Sequence, residues 1–233
     1  MIRQLKVFDL GLTDFKNAWQ FQKNIFHAVK SHELEFGLVL CRHHPVITSG
    51  RFARGENILA AQEELQAKGI EVVAVERAGD MTYHGPGQLI SYPIFDLKLT
   101  KKDIHLFLRQ LEEVILRLLS DLGIRATRNP GFTGVWVGER KIASIGIAIK
   151  GWISFHGLSL NVKKDDLENF RLIRPCGLDV EMVSVETILN REVGIEELKT
   201  RMIRHFQEVF EVSDADLIRE VRQYDQGILA GIR

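Results

Sequence analysis

The sequence predicts an α/β fold of the mixed α+β type. Short apolar runs rich in valine and isoleucine alternate with longer segments in which apolar residues recur every three or four positions. A chain of 233 residues can bury one substantial core, and no change of composition marks a linker. We therefore expect residues 1–233 to form a single domain that combines strands and helices.

Helices are predicted where apolar residues follow the helical period. They lie near 14–31 and 102–122, and two more are expected within 195–225. Thr100 and Asp103 resemble a capping box before the second of these helices. The last helix is expected to begin at Ser213, because Asp216 follows three residues later.

Strands are predicted where short apolar runs are bounded by turn residues. They lie near 4–10, 36–42, 71–76, 88–95, 133–137, 140–149 and 152–162. The last three are expected to form a meander, since only short turns separate them. Gly146 and Gly157 fall inside these strands. Because glycine weakens a strand, we expect something to approach the backbone closely at both positions.

Charge and cysteine content argue against several classes of protein. Lysine plus arginine and aspartate plus glutamate both count 31, so the formal charge is zero and no general field would hold nucleic acid or an anionic membrane. Two cysteines are too few for a disulfide framework and fit a reducing compartment. The sequence shows neither a signal peptide nor a long uncharged apolar run, so we expect a soluble cytoplasmic protein.

Sequence motifs for metals and nucleotides are missing. No Cys-x-x-Cys or His-Glu-x-x-His spacing occurs, and the adjacent His43 and His44 would point to opposite sides of a strand. Both precede Pro45, where we expect solvated histidines of a turn. No phosphate loop and no Gly-x-Gly-x-x-Gly motif is found, so no cofactor is expected.

The turn motif TYHGPGQ at 82–88 is the most distinctive stretch of the chain. Pro86 fixes its φ angle, and Gly85 and Gly87 permit a close approach to the backbone, so we expect a ligand to lie against the main chain here. A tight turn that leads into an apolar strand is the plain alternative. That alternative does not account for a tyrosine and a histidine directly before the turn.

The two cysteines lie in contrasting surroundings. Cys41 falls in an apolar run and is interpreted as a small buried hydrophobic residue. Cys176 lies between Pro175 and Gly177 in a loop, which favours an accessible nucleophile.

A thiol nucleophile needs a partner that removes its proton, because a free thiol is mostly neutral at pH 7. The candidates are Lys141, His84 and His156. Lys141 begins an otherwise apolar strand, although an exposed lysine at a strand end would give the same pattern. A lysine beside the thiol would stabilise the thiolate and exchange protons with it.

Three segments, taken in order, carry a family resemblance. They are RAGDMTYHGPGQ at 77–88, KIASIG at 141–146 with HGLSLNV at 156–162, and PCG at 175–177. Together they resemble the octanoyltransferases of lipoate synthesis, and the match runs in consistent order from about 36 to 190. The resemblance implies the fold of the biotin and lipoate protein ligases, a mixed sheet flanked by helices.

The resemblance also implies a reaction and its partners. An octanoyl group would pass from acyl carrier protein to a lysine of a lipoyl domain through a thioester on Cys176, with Lys141 tuning the thiol. The acceptors would be the lipoyl domains of 2-oxoacid dehydrogenase complexes and the glycine cleavage H protein. The family's substrate-binding segments correspond to Arg77, Ala78, Gly79, Asp80, Met81, Thr82, Tyr83, His84, Ser144, Ile145, Gly146, Gly157, Leu158 and Ser159.

Two positions depart from the family pattern. Ala78 and Ser159 stand where the family commonly has glycine and alanine. The methyl group of Ala78 is expected to make the acyl site narrower than with glycine, and the Ser159 hydroxyl needs a hydrogen-bond partner if it is buried. His84 is expected to shape the site rather than act as the base. Backbone N–H groups near Gly146, Gly157 or Gly177 would stabilise the acyl oxygen.

Two other functions fit parts of this pattern. One is an ATP-dependent lipoate or biotin ligase on the same fold, and the other is a noncatalytic protein that binds carrier or lipoyl domains. The resemblance to the octanoyltransferases also implies that both protein substrates are acidic, so local positive charge is expected to bind them, with ordinary solvated surface as the plain alternative for each basic residue. The candidates are Arg51, Arg54, Arg128, Arg140, Lys163 and Lys164.

Overall fold

Two sheets and five helices make up the part of the chain that the computed structural model describes, residues 3–175 and 180–219. The strands are β1 (Arg3–Thr13), β2 (Phe36–His43), β3 (Val46–Ser49), β4 (Glu71–Ala74), β5 (Met81–His84), β6 (Gln88–Phe95), β7 (Thr127–Asn129), β8 (Phe132–Val137), β9 (Arg140–Lys150), β10 (Ile153–Asn161) and β11 (Val212–Arg219). The helices are α1 (Phe15–Lys30), α2 (Gln62–Ala67), α3 (Ile104–Asp121), α4 (Val185–Leu189) and α5 (Ile195–Phe210).

The large sheet is mixed and has eight strands in the order β11-β1-β2-β6-β10-β9-β8-β7. Strands β11, β1 and β2 run parallel to one another, whereas the pairs from β2 to β7 are antiparallel. The predicted mixed α+β fold is therefore confirmed, as is the predicted meander of β8, β9 and β10.

Helices cover both faces of the large sheet. Alternate residues of a strand point to opposite faces, and β2 shows this clearly. Leu38 and Leu40 pack in the cluster that contains α3 and α5, whereas Val39 and Cys41 pack in the cluster that contains α1. No helix within the described ranges is both long and apolar enough to cross a bilayer.

The start of α3 differs from the predicted capping box. The helix begins at Ile104, and the carboxylate of Asp103 accepts a hydrogen bond from the backbone N–H of Leu106 at 3.0 Å. Asp103 is thus the N-cap. Thr100 instead donates its hydroxyl proton to the backbone oxygen of Leu97 at 3.0 Å.

The helix predicted to begin at Ser213 is wrong. Helix α5 ends at Phe210, Glu211 adopts a left-handed conformation, and the chain then forms β11 alongside β1. The Ser213 hydroxyl donates to the backbone oxygen of Arg3 at 3.2 Å rather than capping a helix. Pairing with an open sheet edge outweighs a local capping pattern because it satisfies a whole row of backbone groups.

A second, three-stranded sheet has the order β4-β3-β5. Only β4 falls on a predicted strand, that at 71–76; β3 and β5 carry no clear alternation. Strand β5 contains the start of the turn motif, so this small sheet brings the motif to the large sheet.

Candidate active site

A cavity of about 500 Å³ is lined by residues from both sheets. Strands β9 and β10 of the large sheet form one side, and β3, β5 and the loop before β5 form another. The cavity brings together the predicted base Lys141 and every predicted substrate-binding residue except Tyr83. Segments that are far apart in the sequence thus meet around one apolar space.

Tyr83 lies outside the cavity lining and holds the small sheet in place. Its side chain is fully buried, and its ring packs edge-on against Phe170. The hydroxyl accepts a hydrogen bond from Asn169 at 3.0 Å and donates one to Asp166 at 3.3 Å. Burial, with the nearby Asp166 carboxylate, raises the pKa of this phenol.

The glycines of the turn motif accommodate the protein itself. The Asp166 carboxylate accepts a hydrogen bond from the backbone N–H of Gly87 at 2.6 Å. A Cβ added at Gly85 would lie 2.7 Å from Asp166 Oδ1, and one at Gly87 would lie 2.7 Å from Lys163 Cβ. The close approach predicted here is therefore made by Asp166 and Lys163, not by a ligand.

Lys141 is buried, which contradicts the alternative of an exposed strand end. Only 6% of its surface is exposed, and its ammonium lies 5.4 Å from the centre of the Trp136 ring. A Cβ on Gly134 would lie 2.6 Å from Lys141 Cε, so the missing side chain makes room for the lysine. Strand β8 therefore shapes the space that holds the lysine.

Cys176 and Gly177 lie outside the described residues, but the described chain on both sides of them lies near the predicted base. Pro175 lines the cavity together with Lys141. The backbone N–H of Lys141 donates to Glu181 at 2.9 Å, and its carbonyl accepts from Val183 at 3.0 Å. The residue directly before the predicted nucleophile thus lines the same cavity as the predicted base, and residues shortly after it are hydrogen-bonded to that base.

The loop before β5 is fixed by its own polar groups. Arg77 is mostly buried and donates from Nη2 to the backbone oxygen of Thr48 at 2.7 Å. Asp80 accepts from the backbone N–H of Met81 at 2.8 Å and from the Asn57 side chain. These hydrogen bonds tie the loop to Thr48 of β3 and to Asn57.

Ala78 and Ser159, the two departures from the family pattern, both line the cavity. Ala78 is fixed by its backbone N–H, which donates to Ile147 of β9 at 2.9 Å. Ser159 is buried on β10, opposite Ser144 of β9. Their extra methyl and hydroxyl groups therefore belong to the wall of the predicted acyl site.

Three histidines are buried beside the cavity. His84 lies 3.0 Å from Gln88 Oε1, and burial lowers its pKa to about 3. His156 lies 3.2 Å from the Glu76 carboxylate, and burial lowers its pKa despite that partner. The expectation that His43 is solvated is wrong, because its side chain is completely buried.

The His43 ring lies in a polar cluster with Tyr92 and Cys41. Nε2 is 2.8 Å from the Tyr92 hydroxyl, Nδ1 is 3.1 Å from the backbone oxygen of Thr13, and burial lowers the pKa to about 4. Cys41 is buried as predicted, and burial raises the pKa of its thiol. This cysteine is therefore held as a neutral thiol.

Several cavity residues were not predicted from the sequence. Glu76 directly precedes the segment that begins at Arg77, and this position next to a motif could have indicated that it lines the cavity. The remaining unpredicted residues belong to no motif, and only tertiary contacts bring them to the cavity. The unpredicted lining residues include Phe15, Phe52, Tyr92, Ile104 and Phe132.

Most of the predicted basic residues are engaged in ion pairs within the protein. Arg128 pairs with Glu112 and Glu113 at 3.0 and 2.7 Å, and Lys163 pairs with Glu186 at 2.7 Å. Arg54 and Arg140 make longer, exposed pairs of 3.7 Å. Lys164 lines a different, more polar cavity. Arg51 is exposed and lines the cavity with Lys141.

Comparison with known proteins identifies a family. Residues 14–207 match the lipoyl protein ligase A/B catalytic domain. An octanoyltransferase from Caldanaerobacter subterraneus subsp. tengcongensis is 42% identical over 221 residues, which are 94% of this chain and 96% of that protein. An octanoyltransferase from Caldicellulosiruptor saccharolyticus is 44% identical over 210 residues, 89% of each chain.

Solved structures share the fold at low sequence identity. A lipoate-protein ligase A bound with ATP superposes with a TM-score of 0.76 at 18% identity, covering 94% of this chain and 90% of the other. Biotin protein ligase from Aquifex aeolicus, in complex with biotin and ATP, gives 0.55 at 10% identity, covering 89% and 70%. The family match and these relatives confirm the resemblance found in the sequence, and the chain belongs to the lipoyl protein ligase A/B catalytic domain family, with octanoyltransferases among its relatives.

Proposed function

We propose that this protein is an octanoyltransferase that carries the octanoyl group on Cys176. The observation that carries the proposal is the cavity, because it joins buried Lys141 to the recognised segments and has Pro175 in its wall. The donor is octanoyl acyl carrier protein, and the acceptors are lysines of lipoyl domains, including the glycine cleavage H protein. Residues 1–233 act as one catalytic domain in the cytoplasm.

The first half-reaction moves the acyl group to the enzyme. The Cys176 thiolate attacks the carrier thioester, a new carbon–sulfur bond forms, and the carrier thiolate leaves with a proton from Lys141. The burial of Lys141 supports this role, because an ammonium in low-dielectric surroundings strongly stabilises a nearby thiolate.

The second half-reaction moves the acyl group to the target lysine. Its neutral amine attacks the enzyme thioester, a carbon–nitrogen bond forms and the Cys176 sulfur leaves. Lys141 takes up the proton that the amine loses. A thioester is exchanged for a thioester and then for a more stable amide, so no nucleotide is consumed.

The acyl chain occupies the space between β9 and the loop before β5. Ser144, Ala78 and Ser159 line that space, where the methyl group of Ala78 and the hydroxyl of Ser159 narrow it, and Gly146 and Gly157 let the surrounding strands and loop pack closely around it. Backbone N–H groups near these glycines or Gly177 stabilise the acyl oxygen. The contacts with an extended chain are mainly apolar, as an octanoyl group requires.

Intact-mass analysis after incubation with octanoyl acyl carrier protein tests the proposal. We expect one octanoyl adduct on the wild type and on Cys41→Ala, and none on Cys176→Ala. Lys141→Met should slow adduct formation about 100-fold, the effect of losing a proton-transfer group. An undiminished adduct on Cys176→Ala, or ATP-dependent attachment of free lipoate by the wild type, contradicts the proposal.

A further inference from the structure

Two side-chain amides form a chain of hydrogen bonds between His84 and the segment beside Lys141. Gln88 and Asn161 are directly opposite each other in the pairing of β6 with β10. Gln88 Oε1 lies 3.0 Å from His84 Nδ1, and Gln88 Nε2 donates to Asn161 Oδ1 at 2.9 Å. Asn161 Nδ2 then donates to the backbone oxygen of Val183 at 3.2 Å.

Backbone carbonyls determine the direction of this chain. Gln88 Nε2 also lies 3.3 Å from the backbone oxygen of Tyr83, and a carbonyl oxygen can only accept. The same holds for the carbonyl of Val183 next to Asn161. Reversing either amide would place two acceptors against each other. Gln88 Oε1 must therefore face His84, and His84 Nδ1 must carry the proton.

The opposite ring nitrogen is then a hydrogen-bond acceptor. With Nδ1 protonated and the ring neutral, Nε2 of His84 carries a lone pair. His84 lines the cavity, and its Nε2 forms no hydrogen bond with residues 3–175 or 180–219. Burial keeps the ring neutral, and the neighbouring His43, Arg77 and His156 also disfavour a positive charge.

We propose that Gln88 and Asn161 are positioning residues that hold His84 in its Nδ1–H tautomer, and that His84 Nε2 binds the amine of the incoming target lysine. This inference rests on the proposed octanoyl transfer. A neutral acceptor cannot stabilise the developing acyl oxygen, which needs donors. The octanoyl chain has no N–H or O–H group, whereas the target amine must be oriented through its N–H bonds while its lone pair attacks the thioester.

The same chain ties His84 to the other side of the site. Val183, which accepts from Asn161, donates its own backbone N–H to the carbonyl of Lys141 at 3.0 Å. One continuous set of hydrogen bonds thus runs from His84 Nδ1, through Gln88, Asn161 and Val183, to the backbone of the predicted base. The orientation of the His84 ring and the position of the Lys141 backbone therefore depend on the same hydrogen bonds.

Nitrogen-15 NMR of the histidine side chains tests the tautomer without any turnover. We expect His84 in the free wild type to be neutral and protonated on Nδ1 between about pH 5 and pH 8. Gln88→Met, which removes the acceptor but keeps the length, should shift it towards the Nε2–H form. A wild-type His84 that is charged, or protonated on Nε2, overturns the inference.

Separate measurement of the two half-reactions tests the role of the acceptor. In His84→Ala and Gln88→Met, transfer from the octanoyl enzyme to a lipoyl domain should slow roughly tenfold more than acylation by the carrier, the effect of one lost hydrogen bond. His27→Ala, an exposed histidine on α1, should leave both rates unchanged.

The two proposals fail in different ways. Equal slowing of both half-reactions overturns the amine-binding role of His84 while leaving the octanoyltransferase proposal intact. Absence of any adduct on the wild type overturns the octanoyltransferase proposal and with it the amine-binding role. In that case the NMR spectra still decide whether Gln88 and Asn161 set the tautomer.

Discussion

At the residue scale, buried histidines are the most unusual groups of this protein. The ring centres of His43 and His84 are 6.0 Å apart, and burial lowers the pKa of both. A completely buried imidazole avoids the cost of a charge by staying neutral. Neutral rings then act through fixed hydrogen bonds, to the Tyr92 hydroxyl for His43 and to Gln88 for His84.

Because of His43, the protein is expected to become less stable as the pH is lowered. Above about pH 6.5 the ring is neutral in the folded and unfolded chain. As the pH drops from 6.5 towards about 4, the unfolded chain binds a proton that the folded chain does not, so stability is lost. The loss from this group is roughly 3 kcal/mol by pH 4. Urea unfolding across this range measures it.

His43→Gln is the matched variant for this measurement, because its amide can still bond to the Tyr92 hydroxyl. Its free energy of unfolding should change less between pH 6.5 and pH 4 than that of the wild type. Equal slopes for the two proteins would show that His43 does not supply this pH dependence.

At the element scale, the site depends on how closely β10 approaches β6. The expectation that something lies against Gly157 is correct, but the neighbour is protein. A Cβ there would overlap the backbone oxygen of Ser91 and lie 2.7 Å from Pro93 Cδ. At Gly146 on β9, a Cβ would lie 3.1 Å from Arg77 Cδ and 3.2 Å from the backbone oxygen of Ala78. Glycine thus lets strands and loop close around the cavity.

Gly157→Ala is expected to destabilise the protein strongly. The added methyl group meets backbone on a paired strand, which cannot move without breaking the sheet, so we expect a loss of about 3 kcal/mol in the free energy of unfolding. Gly55→Ala is the control, because a Cβ there meets nothing within 4 Å. Urea unfolding of both variants measures the difference. Similar stabilities would contradict the close approach.

At the scale of the whole molecule, the cavity lies where the two sheets meet, and large apolar residues surround its mouth. Phe52 is 71% exposed, Ile104 41% and Phe132 42%, and all three line the cavity. Arg51 lies next to Phe52. An apolar mouth with an adjacent cation suits the acidic protein substrates that the proposed octanoyl transfer implies.

Phe52→Ser is expected to weaken binding of the carrier protein more than catalysis. The Michaelis constant for octanoyl acyl carrier protein should rise about fivefold, with a smaller change in the turnover number, because a partly exposed aromatic contributes about 1 kcal/mol at an interface. Leu12→Ser, an exposed apolar residue away from the cavity lining, is the control. Equal Michaelis constants for Phe52→Ser and the control would contradict the docking role.

Local patterns predicted the longer elements well. The strand predicted at 88–95 is β6 (Gln88–Phe95), because an apolar run between turn residues marks it. The helix predicted at 102–122 contains α3 (Ile104–Asp121), because its apolar residues follow the helical period. Strands β3 and β5 were missed because neither carries a clear alternation of apolar and polar residues. Strand β11 was missed because its partner, β1, lies more than 200 residues earlier in the sequence.

The sequence by itself determined the chemistry that is available: an ordered set of motifs, a candidate thiol, a candidate lysine and a mixed α+β pattern. Residue type and order carry that information without reference to neighbours. Only the tertiary structure decided that Lys141 and His43 are buried, that Asp166 occupies the space beside Gly85, and that Gln88 orients His84. Burial and hydrogen-bond direction are properties of contacts between distant segments, so no local pattern can specify them.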